Sequence, residues 1–164
     1  MLRRKRVRLL GICSREARVH TMASKITIPE IQAILDAELP LVEVLGMQVE
    51  DVAAGTCRVR MRFKPDLIRP GGTVAGPAMM ALADLAMYVV VLSLVGPVEL
   101  AVTTNLNINF LRKPGPKDMI AEGRVIKAGK RLAVVEVDLY SEDDPQMVAH
   151  VTGTYSIPPG VTRG

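Results

Sequence analysis

Aromatic residues are scarce in this 164-residue sequence, at 3%, and tryptophan is absent. Proteins that hold single-stranded nucleic acid usually stack its bases on aromatic side chains. We therefore expect no nucleic-acid partner. Hydrophobic residues still make up 49% of the chain, and nine of them are methionines. At this length, that share is enough to fill the core of one domain.

Cysteine and histidine are also rare. The cysteines are Cys13 and Cys57, and the histidines are His20 and His150. Two cysteines do not make a disulfide framework, so the sequence favours a reducing compartment and predicts a cytoplasmic protein. Because Cys57 alternates with Val59 and Met61, we interpret it as a small core residue and not as a nucleophile. No cysteine or histidine cluster has the spacing of metal ligands, so we predict neither a metal nor a resident cofactor.

The net charge of +4 comes from the N-terminus. The first 20 residues hold seven basic residues against Glu16 alone, so the remaining 144 carry a net charge of −2. An arginine-rich, acid-poor start is typical of a transit peptide. A secretory signal does not fit, because the apolar run Val7–Ile12 is too short. We favour a third interpretation, in which Met22 is the true start, residues 1–21 are a disordered extension or a misassigned start, and residues 22–164 form one domain.

The first part of that domain alternates between helix and strand patterns. Ile28–Leu39 has apolar residues on one face and Thr27 as a possible N-cap, which predicts a short amphipathic helix. Leu41–Gly46 is expected to be a connector. Met47–Phe63 then alternates apolar and polar residues around a turn at Ala53-Ala54-Gly55, which predicts two paired strands. Pro65–Pro77 is rich in glycine and proline and predicts a loop.

A long apolar segment, Ala78–Val95, is bounded by Pro77 and by Gly96-Pro97, which favours a helix over these residues. Its length also suits a membrane span. However, a central aspartate such as Asp84 costs about 2.5–3.5 kcal/mol on the insertion scale, and flanking basic anchors are missing. We therefore predict a buried core helix and no membrane span.

Four further strands are predicted after this helix. They are Leu100–Leu111, Met119–Ala128, Leu132–Tyr140 and Gln146–Ile157. A helix that is apolar all round has to be wrapped on most sides. The sequence thus predicts an α+β fold, a curved antiparallel sheet wrapped around one long central helix. The sheet edges would stay open, and pairing with a second copy of the chain would close them.

The sharpest chemical signal is the pair Gly76 and Asp84, eight residues apart. Gly76 falls at the expected helix N-terminus, where unpaired N–H groups and the helix dipole polarise a carbonyl oxygen. Asp84 is a costly charge within an apolar helix. It is either a reactive carboxylate or a structural one that is bonded to a backbone N–H or to an arginine.

The stretch from Ile68 to Tyr88 resembles the hotdog-fold thioesterases of the phenylacetic-acid-degradation type. Their motif reads Asn-Pro-x-Gly-x-x-His-Gly-Gly, then five or six residues, then Leu-Ala-Asp. The matching residues are Pro70, Gly72, Gly76, Leu82, Ala83 and Asp84. The later stretches Ala101–Leu111 and His150–Tyr155 resemble two strands of that family, so the similarity runs over about residues 28–158.

The resemblance implies hydrolysis of acyl-coenzyme A thioesters by a homodimer or homotetramer whose active sites lie between protomers. It implies that Asp84 acts as a nucleophile or as the general base for water. The Gly76 amide would polarise the thioester carbonyl, and Thr103 would orient the water or the carboxylate. Coenzyme A would enter only as part of the substrate or product.

Three positions depart from the family motif. Arg69 replaces the asparagine, Ala75 replaces the histidine, and Pro77 replaces the second glycine. Arg69 would either hold Asp84 in the charged form that a nucleophile needs or neutralise it as a salt bridge. The second outcome leaves an alternative function, a non-catalytic protein that binds acyl-CoA or another acyl ligand.

The residues expected to bind substrate are Arg69, Gly72, Ala75, Met79, Met80, Arg112 and Lys113. The basic pair Arg112-Lys113 either meets the coenzyme A phosphates or is ordinary solvated surface. We also expect Leu82 and Met87 to line an apolar acyl pocket with the two methionines. A histidine-dependent dehydratase of the same fold is disfavoured, because His150 lies on the last predicted strand.

Overall fold

The computed structural model describes residues 23–159. The predictions for residues 1–21, including those for Cys13 and His20, lie outside this range. The helices are α1 (Ile28–Glu38), α2 (Pro40–Leu45) and α3 (Gly76–Val95), with a short 3₁₀ turn at Pro65–Leu67. The strands are β1 (Met47–Ala53), β2 (Thr56–Met61), β3 (Ile68–Arg69), β4 (Thr73–Val74), β5 (Val102–Phe110), β6 (Met119–Ala128), β7 (Leu132–Ser141) and β8 (Met147–Ser156).

Six strands form one sheet in the order β1-β2-β6-β7-β8-β5, and every neighbouring pair is antiparallel. Strands β3 and β4 form a separate small hairpin. Helix α3 contacts all six strands of the large sheet. A flat sheet of that size would be about 24 Å wide against a helix about 10 Å in diameter, so the sheet has to curve around α3. The predicted α+β hotdog architecture is confirmed.

The two N-terminal helices cover one end of this core. In α1, Thr27 and Glu30 form a capping box, and Ile31 and Leu35 are buried. The predicted connector after α1 is wrong, because Pro40–Leu45 forms helix α2. Pro40 suits the first helical turn, and Gly46 ends the helix in the left-handed conformation at φ 65°.

Helix α3 is the core helix that the sequence predicts, and it begins at Gly76, two residues earlier than expected. It is long and apolar enough to cross a membrane, but 78% of its most apolar window is buried inside the protein. The packing against the sheet is close. A Cβ built on Gly153 of β8 would lie 2.5 Å from the sulfur of Met87.

Cys57 belongs to this core, as predicted. Its thiol donates a hydrogen bond to the carbonyl oxygen of Ala86 at 3.2 Å. Burial raises its pKa to about 12. A thiol that stays protonated at neutral pH is a poor nucleophile, so the core assignment holds.

Strand β5 lies at one end of the sheet and has β8 as its only neighbour there. Its side chains are mostly exposed, including the apolar Val102 and Phe110. Asn105, Asn107 and Asn109 alternate along the face that points away from α3, since Leu106 and Ile108 between them pack against the core. Within residues 23–159 no strand covers the outer side of this edge, which is long and partly apolar.

Candidate active site

Asp84 lies on the third turn of α3 and is half-buried. Its Oδ1 atom accepts a hydrogen bond of 2.6 Å from the hydroxyl of Thr103. The same oxygen accepts a second one, of 3.0 Å, from the hydroxyl of Tyr155. The Tyr155 hydroxyl also lies 3.2 Å from the main-chain oxygen of Asp84. The predicted proximity of Thr103 to Asp84 is thus present.

The two hydroxyls converge because of the strand register. Thr103 of β5 is directly paired with Tyr155 of β8, and cross-strand partners point to the same face of an antiparallel sheet. That face packs on α3 at Asp84. Sequence reasoning missed Tyr155, which reads only as an apolar position of the last strand. The available signal was its hydroxyl, since a buried tyrosine usually has a hydrogen-bond partner.

Asp84 forms no ion pair with any of residues 23–159, and Arg69 lies at a different cavity. Pairing of Arg69 with Asp84 within one protomer is therefore wrong. The negative Asp84, together with burial as the larger cause, raises the pKa of Tyr155 well above its usual value. Tyr155 consequently remains a protonated donor at any physiological pH.

A cavity of about 450 Å³ opens beside Asp84. Its walls are mostly apolar and come from the α1–α2 elbow, β1, α3 and the start of β5. The lining residues are Leu39, Leu41, Val42, Met47, Ala81, Asp84, Leu85, Tyr88, Glu99, Ala101, Val102, Thr103 and Tyr155. Of the two carboxylates in this lining, Glu99 is exposed and Asp84 is half-buried. A half-buried carboxylate at a mostly apolar cavity suits a reaction on a carbonyl compound with a hydrophobic substituent.

A second cavity, of about 370 Å³, lies at the N-terminus of α3. It brings together five of the predicted site residues, Arg69, Gly76, Met79, Arg112 and Lys113. Its remaining lining comes from Thr73, Val74, Phe110, Leu111 and Pro114. The cavity combines the positive end of a helix with three basic side chains, which is the chemistry of an anion site.

Comparisons with known proteins decide the family. Residues 71–148 match the model of the thioesterase superfamily. A protein of Saccharolobus solfataricus assigned as an esterase is 31% identical over 80% of this chain and 86% of its own length. A protein of Halobacterium salinarum with the same assignment is 32% identical over 77% of this chain and 89% of its own. The chain belongs to the thioesterase superfamily.

Two solved thioesterase-fold structures agree with this membership. A protein of Silicibacter sp. assigned as a thioesterase has a TM-score of 0.76 and 38% identity, covering 85% of this chain and 97% of its own. A substituted form of the phenylacetic acid degradation protein PaaI of Thermus thermophilus has a TM-score of 0.66 and 28% identity, covering 73% and 99%. The hotdog fold and the PaaI-like resemblance expected from the motif are both confirmed.

Several residues expected at the thioesterase site lie elsewhere. Leu82 and Met87 are fully buried in the core, so their assignment to an acyl pocket is wrong. Met80 is 40% exposed on the other side of α3 from the core. A helix turns 100° per residue, so side chains that are close in sequence face different surroundings. The sequence pattern alone did not reveal which face meets the cavity.

The motif glycine and alanine have local structural roles. Gly72 lies in the turn between β3 and β4 at φ 72°, a conformation that favours glycine, and its exposed backbone faces solvent. Ala75 is the N-cap of α3, and its N–H donates to the carbonyl oxygen of Leu67 at 2.7 Å. Contact of either residue with substrate stays a prediction.

The two cavities divide the predicted site residues into two groups. Gly76 and Asp84 are eight residues apart on one helix, which separates their backbones by about 12 Å. A reacting carbonyl has to lie about 3 Å from both the oxyanion donor and the base or nucleophile. Within one protomer no single carbonyl carbon meets both conditions.

Proposed function

We propose that this protein hydrolyses acyl-coenzyme A thioesters to the free acid and coenzyme A. The observation that carries the proposal is Asp84, a half-buried carboxylate held by two hydroxyl donors at the wall of an apolar cavity. Among residues 23–159 it has neither of the partners expected of a structural aspartate, an arginine or a backbone N–H group. Superfamily membership supports a hydrolase for esters or thioesters, and the two cavities suggest the finer substrate class.

The acyl chain would occupy the apolar cavity beside Asp84, and the coenzyme A phosphates would meet Arg69, Arg112 and Lys113. The N–H of Gly76 would polarise the thioester carbonyl. Asp84 would take a proton from a water molecule while the oxygen of that water attacks the carbonyl carbon. The tetrahedral intermediate then collapses, the carbon–sulfur bond breaks, and the departing sulfur receives a proton. The products are a carboxylic acid and the free thiol.

Such a reaction requires a second copy of the chain, since one protomer keeps Gly76 and Asp84 about 12 Å apart. The uncovered edge of β5 offers the contact. Asp84 is bonded to Thr103 at the start of β5, and Gly76 lies against Phe110 at its end. In an antiparallel pair of β5 strands, the start of one strand lies beside the end of the other. Asp84 would then approach the partner's Gly76.

A homodimer built in this way holds two sites, and a homotetramer would hold four. The exposed apolar Val102 and Phe110 on the β5 edge fit a buried interface better than a solvated surface. We assign the protein to the cytoplasm on its low cysteine content alone.

The test is a panel of acyl-CoA thioesters of varied chain length and aryl substitution, with release of free thiol as the readout. Asp84→Asn is expected to lower kcat by at least about 100-fold, the usual contribution of a general base. The matched control is Asp36→Asn, on the exposed surface of α1, which should behave as the parent protein. Oligomer size and the urea midpoint should stay unchanged in both. Parent-level hydrolysis by Asp84→Asn would overturn the proposal.

A non-catalytic acyl-CoA binding protein is the second candidate. It is favoured by Ala75 in place of the motif histidine and by Pro77, which has no N–H to offer. This function predicts saturable binding of acyl-CoA by calorimetry, with no thiol release above background across the whole panel.

A further inference from the structure

Both hydrogen bonds to the Asp84 carboxylate fall on the same one of its two oxygens. Both hydroxyls donate to Oδ1, at 2.6 Å from Thr103 and 3.0 Å from Tyr155. No residue among 23–159 donates a hydrogen bond to Oδ2. One oxygen is thus held on two sides while the other is left to the cavity. A carboxylate fixed in this way presents the same atom to any molecule that enters.

The two donors also differ in rigidity. Thr103 lies on the edge strand β5 and is exposed. Tyr155 is only 3% exposed, lies on β8 between β7 and β5, and packs on the ring of Tyr88 with centroids 6.2 Å apart. Its hydroxyl also contacts the main-chain oxygen of Asp84 at 3.2 Å. Tyr155 is therefore anchored to the core, to a neighbouring ring and to the helix backbone.

A phenylalanine would fill the same core volume, so packing alone does not require the hydroxyl. A buried hydroxyl costs free energy unless it is hydrogen-bonded, and here its partners are both atoms of Asp84. What a tyrosine adds at this position, compared with a phenylalanine, is the hydrogen bond that holds Asp84.

We propose that Tyr155 is a positioning residue, which holds Oδ1 of Asp84 so that Oδ2 is the oxygen that receives the proton from the attacking water. This inference rests on the proposed function and adds a residue that the family motif does not contain. Tyr155 does not touch the reacting atoms. It acts through the orientation and the charge of Asp84.

The balance between kcat and KM reports this role. Tyr155 does not touch the reacting atoms, so loss of its hydroxyl should slow the chemical step and leave substrate binding in place. The other titratable groups at this cavity are Tyr88 and Glu99, and no lysine, arginine or histidine of residues 23–159 lines it. Tyr155 itself stays protonated at neutral pH, because burial and Asp84 raise its pKa.

The test compares Tyr155→Phe with Tyr88→Phe. Both remove one hydroxyl from a buried ring, but Tyr88 donates to the carbonyl oxygen of Glu99 at 3.4 Å and not to Asp84. For Tyr155→Phe we expect kcat to fall about 10-fold with little change in KM. For Tyr88→Phe we expect a smaller fall in kcat.

A measurement without turnover separates this inference from the proposed function. In ¹³C-labelled protein at one fixed pH, the carboxyl resonance of Asp84 should move further in Tyr155→Phe than in Tyr88→Phe, because only Tyr155 donates a hydrogen bond to that carboxylate. That difference in a protein that hydrolyses no thioester would leave the positioning role standing and overturn the enzyme. Hydrolysis with an unchanged kcat and an unmoved carboxyl resonance would overturn the role of Tyr155.

Discussion

The ring of Phe110 covers Gly76 at the start of α3. A Cβ built on Gly76 would lie 3.2 Å from Cζ of that ring, closer than nearly all real Cβ contacts. The glycine therefore lets the end of β5 reach the helix N-terminus, and with it the oxyanion half of the proposed site. The contact links the sheet edge to the helix end in each protomer.

Gly76→Ala tests this close approach. The added methyl group has to displace the Phe110 ring, and residue 76 also precedes Pro77, which disfavours the helical conformation for any residue with a Cβ. We expect the free energy of unfolding to fall by about 1 kcal/mol in a urea titration. Adding Phe110→Leu should recover part of that loss, since the ring is then gone. Strictly additive effects in the double-mutant cycle would contradict the contact.

The basic cavity at the N-terminus of α3 should bind the phosphates of coenzyme A. Arg112 lines it and donates a hydrogen bond to Gln146 at 2.7 Å. Arg112→Gln is expected to raise KM for acyl-CoA about 10-fold, because hydrogen bonds to charged groups are worth more than neutral ones. Kinetics with an acyl-pantetheine thioester, which lacks the nucleotide, should show no such change.

The control for that experiment is Lys127→Gln. Lys127 is an exposed basic residue on β6, outside both cavities. Lys127→Gln removes the same positive charge as Arg112→Gln but removes no predicted phosphate contact. An equal rise of KM in the two variants would mean that only the overall charge of the protein attracts the substrate.

Alkaline pH should weaken the fold through Cys57. Burial raises the pKa of its thiol from 9.0 to about 12. The unfolded chain therefore ionises first, and the stability that the neutral buried thiol contributes is present below pH 9 and is lost as pH rises from 9 towards 12. We expect the urea midpoint of the parent to fall between pH 8.5 and 10. In Cys57→Ala this fall should be smaller, and identical slopes would contradict the assignment.

Gly153 should be the most sensitive glycine of the sheet. An added Cβ would lie 2.5 Å from the sulfur of Met87 and 2.7 Å from the backbone oxygen of Asn105, and the backbone atom has little room to move. Gly153→Ala is expected to lower the free energy of unfolding by about 3 kcal/mol. The control is Gly115→Ala, whose Cβ would meet no atom within 4 Å and should change stability by less than about 0.5 kcal/mol. Urea denaturation measures both, and equal losses would refute the packing explanation.

Local patterns in the sequence were enough to predict most of the fold. The bounds of β6 agree at both ends, since Met119–Ala128 lies between two glycine- or proline-containing turns. The end of α3 follows from Gly96-Pro97. Helix α2 was missed because six residues are too short for a periodic pattern, although Pro40 and Gly46 marked its ends.

The site was harder to predict because it depends on pairing between distant strands. Gly76 and Asp84 were predicted from their spacing and the motif, and Thr103 from the family resemblance. Tyr155 meets Asp84 only in the register that joins β5 to β8. The proposed pairing of Arg69 with Asp84 failed for the opposite reason. The two residues are close in sequence, yet the intervening helix turns carry them to separate cavities.

Because α3 is buried, it fixes the distance between the two cavities of the proposed site. Fourteen of its twenty residues are buried, so an insertion or deletion between Gly76 and Asp84 would rotate the core face away from the sheet. The spacing of Gly76 and Asp84 on one helix is therefore fixed. Because the proposed dimer brings Asp84 to the partner's Gly76, that spacing sets how far apart the two sites of the dimer lie. Other substrates can be accommodated only by changes in the cavity walls, in the α1–α2 elbow and in the β3–β4 hairpin. These segments lie around α3 and do not set its length.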